Sequence, residues 1–169
     1  ERDYKLISDR DIRKLEAAVE DSGLTNTQLV GTAWASASTY RGTDMRGGAN
    51  GARIRLAPQN QWAINNPDAL AEVIAVLEEV QDEFNSGLSR GKQVSLADVI
   101  VLAGNVGVEQ AAEEFGVEVS IPFTPGRVDA IEGSLDASSW SVMEPRHDGF
   151  RNYMADLGFM TPSQALIDK

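Results

Sequence analysis

Few side chains in this sequence are equipped for chemistry. It contains a single histidine, His147, and no cysteine. A zinc site with two imidazoles, a thiolate nucleophile, a disulfide and a thiolate-held iron–sulfur cluster are therefore excluded. His147 lies in the turn-like stretch 145–149, before a short predicted helix. That context favours a surface histidine, or one at a helix start, over a metal ligand.

A second set of chemically capable residues lies in the segment 42–66, which has no sustained periodicity. Glycines and arginines alternate there: Gly47, Gly48, Gly51, Arg46, Arg53 and Arg55. Glycines beside cations can form an anion or phosphate site, but no strand-to-helix context and no phosphate-loop lysine accompany them. Unstructured loops longer than about 12–15 residues are uncommon unless they hold a site or wrap a neighbour. The segment is therefore a candidate contact surface.

The first half of the chain predicts two helices. Ser8 with Asp9 and Asp11 is a helix start, apolar residues follow on one face, and Gly23 is placed as a stop. Thr25 and Gln28 form a second start of the capping-box type, and that helix is expected to run to about Arg41.

Two longer helices are predicted next. Asn66 is expected to cap a helix with Pro67 at its first position, and its apolar residues recur at helical spacing with acids on the other face. Ser95 and Asp98 have the spacing of another capping box. The stretch 96–102 is apolar around most of its circumference, which is typical of a buried central helix.

The remainder carries weaker patterns. Residues 117–123 alternate well enough for a short strand, stopped by Pro122 and Pro125. Arg127 and Asp129 are interpreted as a structural pair holding a turn. The stretches 150–157 and 163–167 are predicted as short helices, the second capped by Thr161 with Gln164. The predicted class is all-α, with residues 1–169 forming a single domain.

Four stretches, 29–41, 46–58, 95–104 and 122–129, closely resemble class I haem peroxidases, and bacterial catalase-peroxidases most of all. The run Trp34-Ala35-Ser36-Ala37-Ser38-Thr39 is one of the segments that carry the resemblance. The resemblance implies a haem-peroxidase-like helical fold with long loops, truncated at its C-terminal side.

The residues that face haem iron in that family are altered here. An arginine, a tryptophan and a histidine are expected at spacing i, i+3, i+4, on one helical face. The matching positions are Gly31, Trp34 and Ala35. The general base and the charge stabiliser are thus lost, while the tryptophan remains. Asn65 matches the asparagine that orients the histidine, and Ile64 replaces the acidic residue expected before it.

The resemblance therefore points to the haem-free C-terminal domain of a two-domain catalase-peroxidase. It implies no catalytic, cofactor-binding or metal-binding residues in this chain. Haem b would belong to the N-terminal domain of the parent enzyme, which removes hydrogen peroxide. The expected partners are that haem domain and a second subunit in a homodimer, with a supporting role for this domain.

Two other functions stay open from the sequence. One is a degenerate haem peroxidase with weak activity that uses His147 as its proximal ligand. The other is an independent acidic interaction module. Taken without the resemblance, Trp34 is predicted as a core residue on a buried helix face, and Asn65 and Asn66 as loop and N-cap residues.

Composition limits the remaining classes. The chain has 169 residues, which suits one domain, and its 42% hydrophobic content is typical of a globular protein. With 26 acids against 15 bases, the net charge of −11 argues against a nucleic-acid partner. No apolar run has the length of a membrane span, and a cytoplasmic location is expected.

Overall fold

Four α-helices form the framework of a computed structural model that describes residues 3–131, 140 and 143–155. They are α1 (Asp9–Glu20), α2 (Asn26–Ala37), α3 (Pro67–Ser86) and α4 (Leu96–Glu114). Single 3₁₀ turns at Arg53–Arg55, Gln59–Gln61 and Ala63–Asn65 punctuate the connection between α2 and α3. A small antiparallel hairpin pairs β1 (His147–Asp148) with β2 (Tyr153–Met154). The mostly helical class is as predicted.

Helix α4 is the centre of the core, and α2 packs most extensively against it. A Cβ atom added to Gly104 would lie 2.4 Å from the Cβ of Ala33, and one added to Gly107 would lie 2.9 Å from a methyl of Val30. The two backbones therefore approach more closely than any larger residue at these positions would allow. The prediction that this helix is buried on most sides is confirmed.

The predicted helix starts are largely confirmed. Ser8 with Asp11 and Thr25 with Gln28 both form complete capping boxes. Ser95 accepts a hydrogen bond from the amide of Asp98 at 3.1 Å, but the Asp98 carboxylate binds elsewhere, so this box is only half formed. Asn66 precedes Pro67 with a left-handed φ of 48°, and its side chain makes no capping hydrogen bond to the described helix.

Three secondary-structure predictions are wrong. Helix α2 ends at Ala37, because the chain then turns back into a bridge between Arg41 and Arg46. Residues 117–123 form no strand, since no neighbouring segment of the described chain supplies a ladder; Glu109 instead accepts the amide of Ile121 at 2.6 Å. Residues 150–154 form a turn and a strand rather than a helix. The predicted helix 163–167, with Thr161 and Gln164, lies outside the described residues.

The start of α4 is held by two carboxylates. Asp129 accepts the amides of Leu96 and Ala97, each at 2.8 Å. Asp98 is 1% exposed and accepts the amide of Gly126 at 2.7 Å and Nη1 of Arg127 at 2.8 Å. The predicted pair of Arg127 with Asp129 is therefore wrong. A carboxylate at a helix N-terminus is electrostatically favourable, because the free amides there carry partial positive charge. This explains why Asp129 binds the first amides of α4.

Across residues 3–131, 140 and 143–155, no helix combines the length and the apolar character that crossing a membrane requires.

The contact between α2 and α4 is testable by substitution. Gly104→Ala is expected to lower the free energy of unfolding by about 1–3 kcal/mol, because the new methyl meets Ala33. The matched control is Gly31→Ala on α2, where an added Cβ meets no described atom within 4 Å. That control is expected to raise stability by about 0.5–1 kcal/mol, as glycine-to-alanine changes in helices do. Urea unfolding measures both.

Adding Ala33→Gly to the Gly104→Ala variant removes the atom that the new methyl meets. We therefore expect a favourable coupling energy between the two positions in a double-mutant cycle. Additive effects would contradict the close approach.

The start of α1 gives a prediction for pH. Hydrogen bonds from Lys92, at 2.5 Å, and from Ser8 hold the pKa of Asp11 well below its usual range. The folded state thus favours the carboxylate. Its stabilisation is fully present above the unfolded pKa of about 3.9 and is lost as pH falls toward the folded value. Asp11→Asn should lower the free energy of unfolding at neutral pH, with a smaller difference from the parent protein in acid.

Asp82→Asn on the exposed face of α3 is the matched control, because it removes an exposed carboxylate by the same change of residue. The measurement is the urea midpoint of the parent protein and of both variants, from neutral pH to about pH 2.5. A constant difference between Asp11→Asn and the parent protein over that range would contradict the role of the carboxylate.

Candidate functional site

Trp34 lies at the surface of α2 rather than in the core. Its side chain is 40% exposed, and its Nε1 donates a hydrogen bond to Oδ2 of Asp148 at 2.8 Å. The ring of Phe150 lies over the indole with centroids 4.6 Å apart and a tilt of 34°. The core prediction for Trp34 is therefore wrong. The indole N–H needs an acceptor, and the hairpin provides one together with an aromatic partner.

Asp148 connects this tryptophan to an arginine on the same hairpin. Its carboxylate accepts Nε of Arg151 at 2.8 Å and the Arg151 amide at 3.1 Å. Burial by itself raises the pKa of Asp148, but the hydrogen bonds from Trp34 and Arg151 outweigh it, and the pKa lies below the usual value. The carboxylate is thus ionised at neutral pH and paired with a guanidinium that is largely buried.

Arg151 carries the connection on to Asn65. Its Nη1 donates to Oδ1 of Asn65 at 2.7 Å, while Nδ2 of Asn65 donates to the carbonyl of Gln59 at 2.8 Å. We call the chain of side chains Trp34, Asp148, Arg151 and Asn65 the Trp34–Asn65 bridge. It links α2, the last 3₁₀ turn before α3 and the hairpin. Trp34 and Asn65, the two residues that the resemblance matches to the family pattern, thus belong to one hydrogen-bonded unit.

Asp148 and Arg151 were missed as site residues at the sequence level. Their opposite charges stand three positions apart, and the dipeptide Asp148-Gly149 is a common turn signal. Together these features could have predicted a hairpin in place of a helix. Nothing in the local sequence indicated that the pair would reach Trp34 and Asn65.

Gly31 and Ala35 line a groove of about 740 Å³ along α2. Helix α3, the later turns of α4 and the hairpin residues Phe150 and Arg151 form its other sides. Neither Gly31 nor Ala35 can accept a proton or carry a positive charge from its side chain. The groove is mostly apolar, and it offers no side chain on the family's catalytic spacing that could act as a general base.

The resemblance implies haem in the other domain of the parent enzyme, and the residues of this site do not fit that group. Phe150 packs against the Trp34 indole, and the acceptor of Asn65 is occupied by Arg151. His147 lies half-buried in β1, opposite Met154, and not in the turn before a helix that was predicted. The described residues also bring together no group of three His, Cys, Asp or Glu side chains suited to a metal ion.

The arginines of the 42–66 segment diverge and form no common anion site. Arg53 lies 5.0 Å from the ring centroid of Trp140, and burial lowers its pKa. Arg55 donates to the carbonyl of Ala130 at 2.7 Å. Arg46 remains 60% exposed, with Asp44 at 3.7 Å. The segment is thus held against residues 128–131 and presents Arg46 to the outside.

Comparisons with known proteins agree with the resemblance. The Peroxidase family model matches residues 12–165. The chain is 56% identical to a catalase-peroxidase of Bradyrhizobium sp. (strain ORS 278) and 55% identical to catalase-peroxidase 2 of Legionella pneumophila (strain Lens), each over 167 residues. Both alignments cover 99% of this chain but only 23% and 22% of the relatives. The chain therefore spans less than a quarter of the length of these curated relatives.

A solved structure is also similar. The TL29 protein from Arabidopsis thaliana superposes with a TM-score of 0.51 at 29% sequence identity. The match covers 63% of this chain and 43% of that protein.

The Trp34–Asn65 bridge is testable by removing the positive charge of Arg151. Arg151→Met is expected to lower the free energy of unfolding by about 1.5–3 kcal/mol, because it leaves the buried Asp148 carboxylate without its guanidinium. Trp62 and Trp140 are buried, so the change should also increase acrylamide quenching of fluorescence through Trp34. Arg146→Met, an exposed change on the same hairpin, is the matched control. Equal quenching in the two variants would contradict the bridge.

Proposed function

The chain belongs to the peroxidase family, and we propose that it is the haem-free, non-catalytic C-terminal domain of a catalase-peroxidase. The parent enzyme would remove hydrogen peroxide with haem b bound in its N-terminal domain. The high identity to catalase-peroxidases over 99% of this chain supports that parentage.

The non-catalytic role is supported by the identity of two residues that line the groove. Gly31 and Ala35 stand where the family pattern has an arginine and a histidine. A positioned general base contributes about 10²–10⁴ in rate, and a positioned charge stabiliser contributes about 10²–10³. Trp34 and Asn65 keep the matching residue types but are tied to Asp148 and Arg151. No described residue replaces the lost base on that face of α2.

A supporting role explains why such a fold is kept. A neighbouring domain can favour the competent arrangement of an active site by binding that arrangement more tightly. We propose that this chain acts so on the haem domain of the same polypeptide and on the parent homodimer. The exposed Arg46, in a segment held against residues 128–131, supports the 42–66 segment as a contact surface.

The role is tested by mixing this chain with the haem domain prepared alone. The expected result is a stable complex and a gain in catalase activity, with no peroxide-dependent oxidation by this chain alone in the presence of added haem. Peroxidase activity of the isolated chain would overturn the non-catalytic role. If the two proteins do not associate and no catalase activity is recovered, the supporting role is overturned and an independent acidic module is favoured.

The contact surface gives a sharper prediction. Arg46→Glu reverses an exposed charge and should weaken association with the haem domain, while the folded stability of this chain stays the same. Arg13→Glu, an exposed change on α1, is the matched control. Isothermal titration with the haem domain measures both affinities. An unchanged affinity for Arg46→Glu would exclude this part of the segment from the contact.

A further inference from the structure

We infer that the hairpin 147–154 is a latch that closes the face of α2 around Trp34 against a planar aromatic ligand such as a porphyrin. The inference deepens the proposed haem-free role and rests on it. It assigns a physical cause for the exclusion that is separate from the loss of the arginine and the histidine.

The first support is steric. The rings of Phe150 and Trp34 lie 4.6 Å apart, within the range of direct aromatic contact. A porphyrin stacked on the face of the indole that Phe150 contacts would have to displace Phe150. Arg151 and Phe150 also form part of the wall of the groove that Gly31 and Ala35 line. Phe150 therefore lies both against the indole and in the groove wall.

The second support is the use of hydrogen bonds. Trp34 Nε1 is satisfied by Asp148 at 2.8 Å, and Oδ1 of Asn65 is satisfied by Nη1 of Arg151 at 2.7 Å. Moving the hairpin would break both bonds and expose the buried Asp148–Arg151 pair. Hydrogen bonds to charged groups are stronger than those between neutral groups, so opening is costly. The two residues left from the family pattern now hold the latch shut.

The third support is the way the hairpin is closed at its base. The amide of Ala155 donates to the carbonyl of Arg146 at 2.8 Å, and β1 pairs with β2 in register. The hairpin thus has its own backbone bonds in addition to those of the Trp34–Asn65 bridge. An isolated two-stranded hairpin is only marginally stable in water. Its contacts with α2 and Asn65 are what fix its position.

The test uses iron-free protoporphyrin, which needs no axial ligand, so that steric closure is separated from the missing histidine. The protoporphyrin is titrated into this chain while quenching of tryptophan emission is followed. The parent chain is expected to show no saturable quenching of Trp34. Phe150→Ala, which removes the ring packed on the indole, and Arg151→Met, which breaks the bridge, should each give saturable quenching, with an apparent Kd about tenfold or more below the highest protoporphyrin concentration at which the parent chain stays unsaturated.

Arg146→Met on the same hairpin is the matched control and should bind as weakly as the parent chain. Trp34→Phe, added to Phe150→Ala, should abolish the quenching and so locate the probe. Because Phe150 is 59% exposed, its replacement keeps the test valid even where Arg151→Met fails to fold. Stoichiometric quenching in the parent chain, or equal Kd values for Phe150→Ala and Arg146→Met, would overturn the latch.

The result is independent of the test of the supporting role. Recovery of catalase activity with the haem domain reports on that role, whereas protoporphyrin binding reports on this chain alone. If the parent chain does not bind protoporphyrin and catalase activity is not recovered, the latch is supported and the supporting role is rejected. If the parent chain binds protoporphyrin and catalase activity is recovered, the latch is rejected and the supporting role is supported.

Discussion

The close approach of α2 and α4 is the constraint on which the rest of the structure depends. Gly104 and Gly107 leave room for Ala33 and Val30, so the two helices meet almost backbone to backbone. With Ala33 and Val30 packed against α4, α2 presents Trp34 and Gly31 on other parts of its surface. The groove and the Trp34–Asn65 bridge are both built on that surface. A larger residue at Gly104 would meet Ala33, so the position of α2, which carries Trp34, depends on this glycine.

The Trp34–Asn65 bridge uses its polar side chains for structure. A catalytic face needs its polar groups free to meet a ligand, and here those groups bind the protein itself. The Trp34 indole donates to Asp148, and Asn65 accepts from Arg151. The Asp148 carboxylate is stabilised as an anion despite its burial, as its lowered pKa indicates. Residue type alone therefore does not indicate function, because the same donor or acceptor can be used to hold a loop.

The long connections are ordered by a few polar contacts at helix ends. Asp129 binds the first amides of α4, and Asp98 in its first turn binds Gly126 and Arg127 in return. The 42–66 segment is joined to the same region by the bond from Arg55 to Ala130 and by the bridge between Gly51 and Asp129. These bonds connect residues that are far apart in sequence. They account for a fold with long irregular stretches and little sheet.

The sequence by itself determined the four helices, most of their starts and the family, because capping residues and helical periodicity are local signals. It also determined that Gly31 and Ala35 cannot supply a charge or a base. Tertiary structure alone decided that Trp34 lies at the surface, that Asp129 serves α4 and not Arg127, and that residues 147–154 form a hairpin. Each of these outcomes depends on a partner more than 30 positions away or on pairing across a turn. A hydrogen-bond donor can be read from the sequence, whereas its acceptor is chosen only when distant segments are brought together.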